Sequence, residues 1–203
     1  EKRAPGADSE QQAGAAARNR LVAGPANPGL RSARTRHNLG FMVLDELARR
    51  HGQRFSRHGH SERARLSGAV LLKPQTFMNR SGSAVQGGLS AHGVRPAELL
   101  TVHDDLDLPL GRLRFRFGGS SGGQRGVQDI ISRIGKEFWR LKLGISSAPP
   151  GWETAGWVLS RFRKDEADLL SRVISTAADA VEHCLEYGPE DAANRYNGLD
   201  LSL

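Results

Sequence analysis

The chain has one cysteine, five lysines among its 29 basic residues, and no long hydrophobic run. Cys184 alone cannot form an intrachain disulfide, which is typical of a reducing compartment. No apolar stretch approaches the roughly 20 residues that a membrane-spanning helix needs. Aromatic residues are scarce at 6%, yet 203 residues with 38% hydrophobic content suffice for one domain with a buried core. We therefore expect a soluble, cytoplasmic protein. We also expect a monomer.

Residues 1–19 lack apolar periodicity. The segment EKRAPGADSEQQAGAAARN is rich in Ala, Gly, Gln and charge, so it cannot bury enough apolar surface to offset the cost of ordering. Glu1, Asp8 and Glu10 argue against a transit peptide, because such peptides are poor in acidic residues. We expect a flexible N-terminal extension over 1–19 and a single folded domain over 20–203.

The positive charge is unevenly placed. The formal net charge is +7, and residues 31–142 carry 20 Lys or Arg against 9 Asp or Glu, whereas residues 143–203 carry 5 against 10. An asymmetric basic body indicates a polyanionic partner. Because Arg outnumbers Lys 24 to 5, codon bias explains the composition equally well.

The residue pattern of 21–48 predicts a strand, a loop and a helix. A short apolar run is followed by an Asn-Pro-Gly turn at 27–29, and apolar residues at helical spacing begin at Phe41. In doubly wound α/β proteins, ligands bind at the carboxyl ends of the strands, where this loop would lie. Asn27 and His37 are therefore candidates for one site. The alternative is that His37, near a helix start, is a solvated or capping residue.

A second strand end supplies a carboxylate. Residues 99–111, LLTVHDDLDLPLG, run from an apolar strand directly into Asp104 and its acidic neighbours. Asp side chains commonly stabilise turns by bonding nearby backbone, and this is one explanation of the cluster. The other is that one of these carboxylates orients the imidazole of His37 and stabilises its protonated form.

Periodicity predicts the remaining elements of an α/β fold. Strands are expected near residues 20–25, 67–73, 99–103, 112–118 and 139–145. Helices are expected near residues 81–92, 127–134 and 157–187, the last with a break near 163–165 and a short helix after 188. The basic segment 49–65 has three histidines without cysteine or acidic partners at ligand spacing, so it is read as surface loop or edge strand rather than a zinc site.

The segment GRLRFRF at 111–117 alternates strictly between apolar and basic residues. Its arginines, Arg114 and Arg116 among them, share one face of a half-buried strand. Their spacing of about 7 Å matches that of phosphates along a nucleic-acid strand. The alternative is an edge strand protected from aggregation by charge. Arg140 and Lys142 on the next strand are expected to point outward beside this basic face.

The glycine-rich segment GGSSGGQRG at 118–126 precedes a helix but lacks the spacing of a dinucleotide fingerprint. A mobile, substrate-facing loop fits it better. A protein nucleophile is disfavoured, since Ser81, Ser120 and Ser121 lack a nucleophile-elbow setting. Cys184 lies on an apolar helix stripe.

Five segments, in order and at matching spacing, resemble bacterial peptidyl-tRNA hydrolase over essentially everything after Arg20. They are ANPG at 26–29, TRHNLGF at 35–41, LLKPQTFMNRSG at 71–82, VHDDLDLPLGRLRFRFGG at 102–119 and RLKLGIS at 140–146. No single segment is decisive, but the ordered set is highly specific. The resemblance implies one domain with a twisted, mixed rather than parallel sheet flanked by helices.

The resemblance also implies hydrolysis of the ester that joins a peptide to the 3′ ribose of tRNA. His37 as general base with Asp104 behind it suffices for this ester, without metal or cofactor. Asn27 and Asn79 would hold the backbone amides of the peptide. The resemblance assigns Phe77 and Asn79 to substrate contact, although a helix N-cap explains Asn79 equally well.

Two positions depart from the family pattern. Ser32 stands where the family commonly has Tyr, so a ring that would cover the peptide or the terminal adenosine is missing. Gln124 and Arg125 replace a His-Asn pair, and Arg125 cannot accept from a peptide N–H as Asn would. We interpret Arg125 as exchanging a peptide contact for a tRNA contact, against the alternative that it points into solvent.

These departures motivate a second hypothesis from another class. An RNA-binding relative with weak or no hydrolase activity, similar to the plant organellar splicing factors that resemble this family, would keep the fold and the basic face. The presence of Asn27, His37, Asn79 and Asp104 argues for the enzyme.

Overall fold

The structure, a computed structural model, describes residues 18–203, which form seven strands and six α-helices. The strands are β1 Leu21–Ala23, β2 Ser56–His58, β3 Ser61–Leu66, β4 Ala69–Pro74, β5 Leu99–Asp105, β6 Leu113–Phe117 and β7 Trp139–Gly144. The helices are α1 Leu39–Arg50, α2 Ser81–His92, α3 Arg125–Ile134, α4 Thr154–Val158, α5 Ala167–Tyr187 and α6 Pro189–Tyr196.

All seven strands form one sheet in the order β2-β3-β4-β1-β5-β7-β6. The central pairs β4 with β1, β1 with β5, and β5 with β7 are parallel, because a helical crossover separates each pair along the chain. The outer pairs β2 with β3, β3 with β4, and β6 with β7 are antiparallel. The sheet is therefore mixed, which confirms the predicted fold class.

Apolar side chains alternate between two cores on opposite faces of the sheet. In β1, Val22 packs with α1 and α5, whereas Leu21 and Ala23 pack on the other face with α2 and α3. In the predicted apolar stripe of α5, Val173, Ala177, Val181 and Cys184 are fully buried in the first core, whereas Leu169, Leu170, Ile174 and Leu185 are partly buried against it. The two helix layers thus leave the carboxyl edge of the parallel strands open for a site.

The element boundaries differ from the predicted ones in two places, the segment 49–65 and the region after residue 150. The basic segment contains the hairpin of β2 and β3, and β2 lies at the edge of the sheet. The helix predicted over 157–187 is interrupted over 159–166, a longer break than the expected 163–165, and the helix before the break begins at Thr154 and ends at Val158. A 3₁₀ turn spans Lys164–Glu166 at the end of the break.

Most of the predicted N-terminal extension, residues 1–17, lies outside the described residues. Asn19 is 2% exposed, and its Oδ1 accepts a hydrogen bond from the Cys184 thiol at 3.2 Å. The folded unit therefore includes Asn19, one residue earlier than predicted. Burial raises the pKa of the Cys184 thiol to about 12, which makes it a poor nucleophile.

Between residues 18 and 203 there is no helix with the length and apolar character needed to cross a bilayer.

Candidate active site

A cavity of about 780 Å³ opens where the loops after β1, β4 and β5 meet the glycine-rich loop before α3. Loops that follow parallel strands converge at one edge of the sheet, and this places distant segments together. Six residues predicted for the site line the cavity: Asn27, His37, Phe77, Asn79, Asp104 and Arg125.

His37 and Asp104 form a hydrogen-bonded pair at the floor of this cavity. Nδ1 of His37 lies 2.8 Å from Oδ2 of Asp104, and the two residues are 7% and 2% exposed. His37 lies in the 3₁₀ turn Arg36–Asn38 that leads into α1, and Asp104 lies near the end of β5. With Nδ1 donating to the carboxylate, the neutral imidazole carries its lone pair on Nε2, the nitrogen a general base uses.

The second oxygen of Asp104 is bound by Gln124. The amide orientation of Gln124 is fixed, because Oε1 accepts from the backbone N–H of Val127 at 2.8 Å and caps α3. Nε2 must then point the other way, and it donates to Oδ1 of Asp104 at 3.2 Å. Sequence reasoning noted Gln124 only as a departure; its place immediately before a helix was the available signal.

Asn27 is held in place by Asn38, which sequence reasoning missed. The Asn38 side chain accepts from the Asn27 backbone N–H at 3.0 Å and donates to the Asn27 carbonyl at 2.7 Å. Oδ1 of Asn27 accepts from the backbone N–H of Met78 at 2.9 Å. Its Nδ2 donor is thereby turned toward groups other than Met78, and it can serve a substrate carbonyl.

Arg36 fastens the turn that carries His37 to the segment after α4. Its guanidinium is 1% exposed, donates to both carboxylate oxygens of Glu166 at 2.8 and 3.0 Å, and stacks 3.7 Å from the centroid of the Trp157 ring. Burial alone would raise the pKa of Glu166, but hydrogen bonds from Arg36 and the Arg163 backbone outweigh it and lower that pKa. A bidentate pair of this kind fixes geometry as well as charge.

Phe77 and Asn79 lie in the loop between β4 and α2. Phe77 is 73% exposed at the rim of the cavity. The 3₁₀ turn Met78–Arg80 begins after Phe77 and α2 begins after Arg80, so Asn79 is the N-cap of neither. The capping explanation of Asn79 is therefore wrong, and its amide lines the cavity instead.

Arg125 and Ser32 occupy different surroundings. Arg125 is the first residue of α3 and an exposed part of the cavity lining. Ser32 is not among the lining residues; it lies in a turn where its carbonyl accepts from the Thr35 hydroxyl at 2.8 Å.

Arg114 and Arg116 are exposed on β6, which forms the second edge of the sheet. In the antiparallel register Arg114 lies opposite Lys142 and Arg116 opposite Arg140, so the four residues share one face as predicted. The position of β6 at the sheet edge agrees with both explanations of its arginines, protection of an edge strand from aggregation and phosphate binding.

The expected outward orientation of Arg140 and Lys142 is wrong. Arg140 is 0% exposed because the glycine-rich loop folds back over β7, and its guanidinium donates to the carbonyls of Gly118, Gly119 and Phe138. Burial, aided by the charge of Arg116, lowers the pKa of Arg140 to about 10. Lys142 is 9% exposed, with Nζ 3.8 Å from Oδ2 of Asp105. Burial lowers the pKa of Lys142 as well.

Across residues 18–203, no group of three or more His, Cys, Asp or Glu side chains is arranged to hold a metal ion. The cavity instead offers a histidine polarised by a buried carboxylate, with amide groups around it. This arrangement, at the carboxyl edge of an α/β sheet, is that of a hydrolytic enzyme that activates water.

The chain belongs to the peptidyl-tRNA hydrolase family, whose model matches residues 21–202. The peptidyl-tRNA hydrolase of Rubrobacter xylanophilus is 49% identical, with 86% of this chain and 98% of the relative covered. That of Thermus thermophilus is 46% identical, with 90% and 98% covered. The crystal structure of peptidyl-tRNA hydrolase from Acinetobacter baumannii superposes with a TM-score of 0.85 at 31% identity, over 91% of this chain and 97% of that one. Nothing in these comparisons favours the splicing-factor-like alternative.

Proposed function

We propose that this chain hydrolyses the ester between peptide and tRNA in peptidyl-tRNA, which returns tRNA from stalled or aborted translation. The observation that carries the proposal is the buried pair of His37 and Asp104, 2.8 Å apart, at the floor of an open cavity in a member of this family. We also propose that the protein acts in the cytoplasm as a monomer.

His37 acts as the general base. Its Nε2 takes a proton from a water molecule as the water oxygen bonds to the ester carbon, and Asp104 stabilises the resulting imidazolium through Nδ1. When the tetrahedral intermediate collapses, the bond to the ribose 3′ oxygen breaks and that oxygen receives the proton from His37. The products are a peptide with a free carboxyl group and a tRNA with a free 3′ hydroxyl.

Asn27 and Asn79 position the peptide. Because Oδ1 of Asn27 is occupied by the backbone N–H of Met78, its Nδ2 donates to a carbonyl of the peptide or to the developing oxyanion. Asn79 is exposed and lines the cavity, so its amide can both donate and accept. Phe77 covers the peptide from the rim. Hydrogen bonds between these side-chain amides and peptide amides favour a substrate with a blocked, neutral amino group. They disfavour aminoacyl-tRNA, whose free amino group is charged.

The exposed Arg114 and Arg116 bind tRNA phosphates, and Lys142 adds charge to their face. Arg140 contributes positive charge from beneath this face rather than a direct phosphate contact, because its N–H groups already donate to carbonyls of the glycine-rich loop. Arg125 binds a phosphate near the acceptor end, and Ser32 leaves the approach to the cavity unobstructed where a ring would otherwise stand. Contacts of this kind position the substrate without reading its sequence.

The test is release of the acylated amino acid from N-acetyl-aminoacyl-tRNA, with unblocked aminoacyl-tRNA as the control substrate. Rapid release from the blocked substrate alone is expected. An equal rate on both, or a rate that survives His37→Ala in a preparation freed of contaminating hydrolase, would overturn the proposal.

A further inference from the structure

A second cavity, of about 510 Å³, adjoins the first. The two cavities share Phe77 and Arg80 in their linings, so these two side chains form the boundary between them. The second cavity extends from that boundary toward His60, in the turn between β2 and β3, and Arg133 near the end of α3. A substrate bound at His37 can therefore continue past Phe77 into this space.

The lining of the second cavity suits an anionic group. It contains the guanidinium groups of Arg80 and Arg133 and the imidazole of His60, with no carboxylate among the lining residues. Thr76 also lines it, and its buried Oγ1 has no hydrogen-bond partner among residues 18–203. A buried hydroxyl without a partner is costly unless a ligand or water satisfies it.

One carboxylate approaches this lining from outside. Oδ2 of Asp129 lies 3.8 Å from Nε of Arg133, but it also accepts from the backbone N–H of Gly82 at 2.8 Å. Asp129 therefore holds Arg133 against α2 and offsets part of its charge. The guanidinium of Arg80 leaves the cavity with a positive balance.

The place of this cavity in the sheet indicates which part of the substrate reaches it. The exposed arginines proposed to bind tRNA lie on β6, whereas the second cavity lies beside the loop after β4 and the turn before β3. Between β4 and β6 stand β1, β5 and β7, so the two strands are about 19 Å apart. His37, which follows β1, lies between them. With tRNA on the β6 side, the peptide leaves His37 on the β4 side.

We propose that the second cavity is a peptide subsite that selects acidic side chains upstream of the esterified residue. The inference rests on the proposed function, since it requires the ester at His37. Arg80 and Arg133 pair with a carboxylate of the peptide, and the Thr76 hydroxyl donates to it. A neutral amide side chain of the same size gains less from this lining.

The experiment compares N-acetyl-tripeptidyl-tRNAs that carry Asp or Asn at the second or third residue from the ester. A ratio of kcat/KM of roughly three to five in favour of Asp at one of these positions is expected, as for a partly exposed ion pair. Arg133→Gln should bring that ratio close to one. Arg172→Gln, which removes an exposed arginine of α5 on the other face of the sheet, is the matched control and should keep the ratio.

The remaining outcomes separate the subsite from the function. Hydrolysis of all these substrates at equal rates would overturn the subsite and leave the hydrolase activity established. If Arg133→Gln raised KM equally for the Asp and Asn substrates and weakened binding of deacylated tRNA, the cavity would bind an RNA phosphate instead. Failure to hydrolyse any blocked substrate would overturn the proposed function itself.

Discussion

The side chain of Gln124 joins the backbone of Val127, at the start of α3, to the carboxylate of Asp104. The two bonds, at 2.8 and 3.2 Å, use opposite ends of one amide. One carboxylate oxygen of Asp104 is therefore bonded to His37, and the other is bonded to the residue that caps the helix after the glycine-rich loop. Capping of the helix that follows the glycine-rich loop and orientation of the Asp104 carboxylate thus depend on the same side chain.

Gln124→Glu separates these two roles. The glutamate can still accept from Val127, so the cap on α3 and the unfolding temperature should be retained. It cannot donate to Asp104, and two adjacent carboxylates resist simultaneous ionisation. We expect kcat near neutral pH to fall about 10- to 100-fold. As the pH is raised, kcat of the variant should increase less steeply than kcat of the parent. Unchanged kcat would show that the bond to Asp104 plays no part in catalysis.

His37→Ala removes the proposed base and should lower kcat by about 10²- to 10⁴-fold, while tRNA affinity and fold are retained. Single-turnover hydrolysis and tRNA titration of the same preparation measure both. Asp104→Asn should act in the same direction, because an Asn amide that donates to Nδ1 would place the imidazole proton on Nε2. Wild-type turnover in either variant would rule out the mechanism.

The Arg36 and Glu166 pair supplies a pH-dependent part of stability. The pKa of Glu166 is lowered from its ordinary 4.5 in the folded protein, so this contribution is full above the unfolded value and is lost as pH falls through the folded one. Glu166→Gln leaves Arg36 buried without its partner and should cost about 3 kcal/mol of unfolding free energy at neutral pH. In denaturant titrations from pH 7 to pH 3, the unfolding free energy of Glu166→Gln should decrease less with falling pH than that of the parent.

A double variant provides the control. Arg36→Met with Glu166→Gln removes both charges and should recover part of the stability lost in the single variant. Strictly additive losses would mean that the pair contributes no coupling.

The pair of His37 and Asp104 and four further residues of the cavity lining, Asn27, Phe77, Asn79 and Arg125, could be predicted from the sequence. The reason is topological, since residues that follow parallel strands meet at one edge wherever they lie in the chain. Gln124 and Asn38 were missed as partners because a hydrogen-bond partner depends on tertiary distances that periodicity does not contain. Arg140 shows the same limit. Alternation places it correctly on the face of Arg116, but it does not reveal that the glycine-rich loop covers that face.

Arg114→Gln and Arg116→Gln should raise KM more than they lower kcat, because phosphate contacts contribute alike in ground and transition states. Each should reduce the slope of log K against log salt by about 0.7 to 0.9. Arg140→Gln, by contrast, should chiefly lower the unfolding temperature, since it leaves the carbonyls of Gly118 and Gly119 without their donor. A salt-independent affinity for tRNA in the parent would favour codon bias as the origin of the exposed arginines.

Arg125 stands at the first position of α3, where a positive side chain opposes the helix dipole. Its exposure at the cavity agrees both with the proposed phosphate contact and with the alternative that it points into solvent. On the proposed phosphate contact, Arg125→Asn should weaken tRNA binding at low salt and flatten its salt dependence, while kcat holds or rises because Asn restores an acceptor for a peptide N–H. The measurement is kcat and KM at about 50 and 200 mM salt, with Arg172→Gln as the matched loss of one charge. Identical kinetics in parent and variant at both salt concentrations would leave Arg125 without a role in substrate binding.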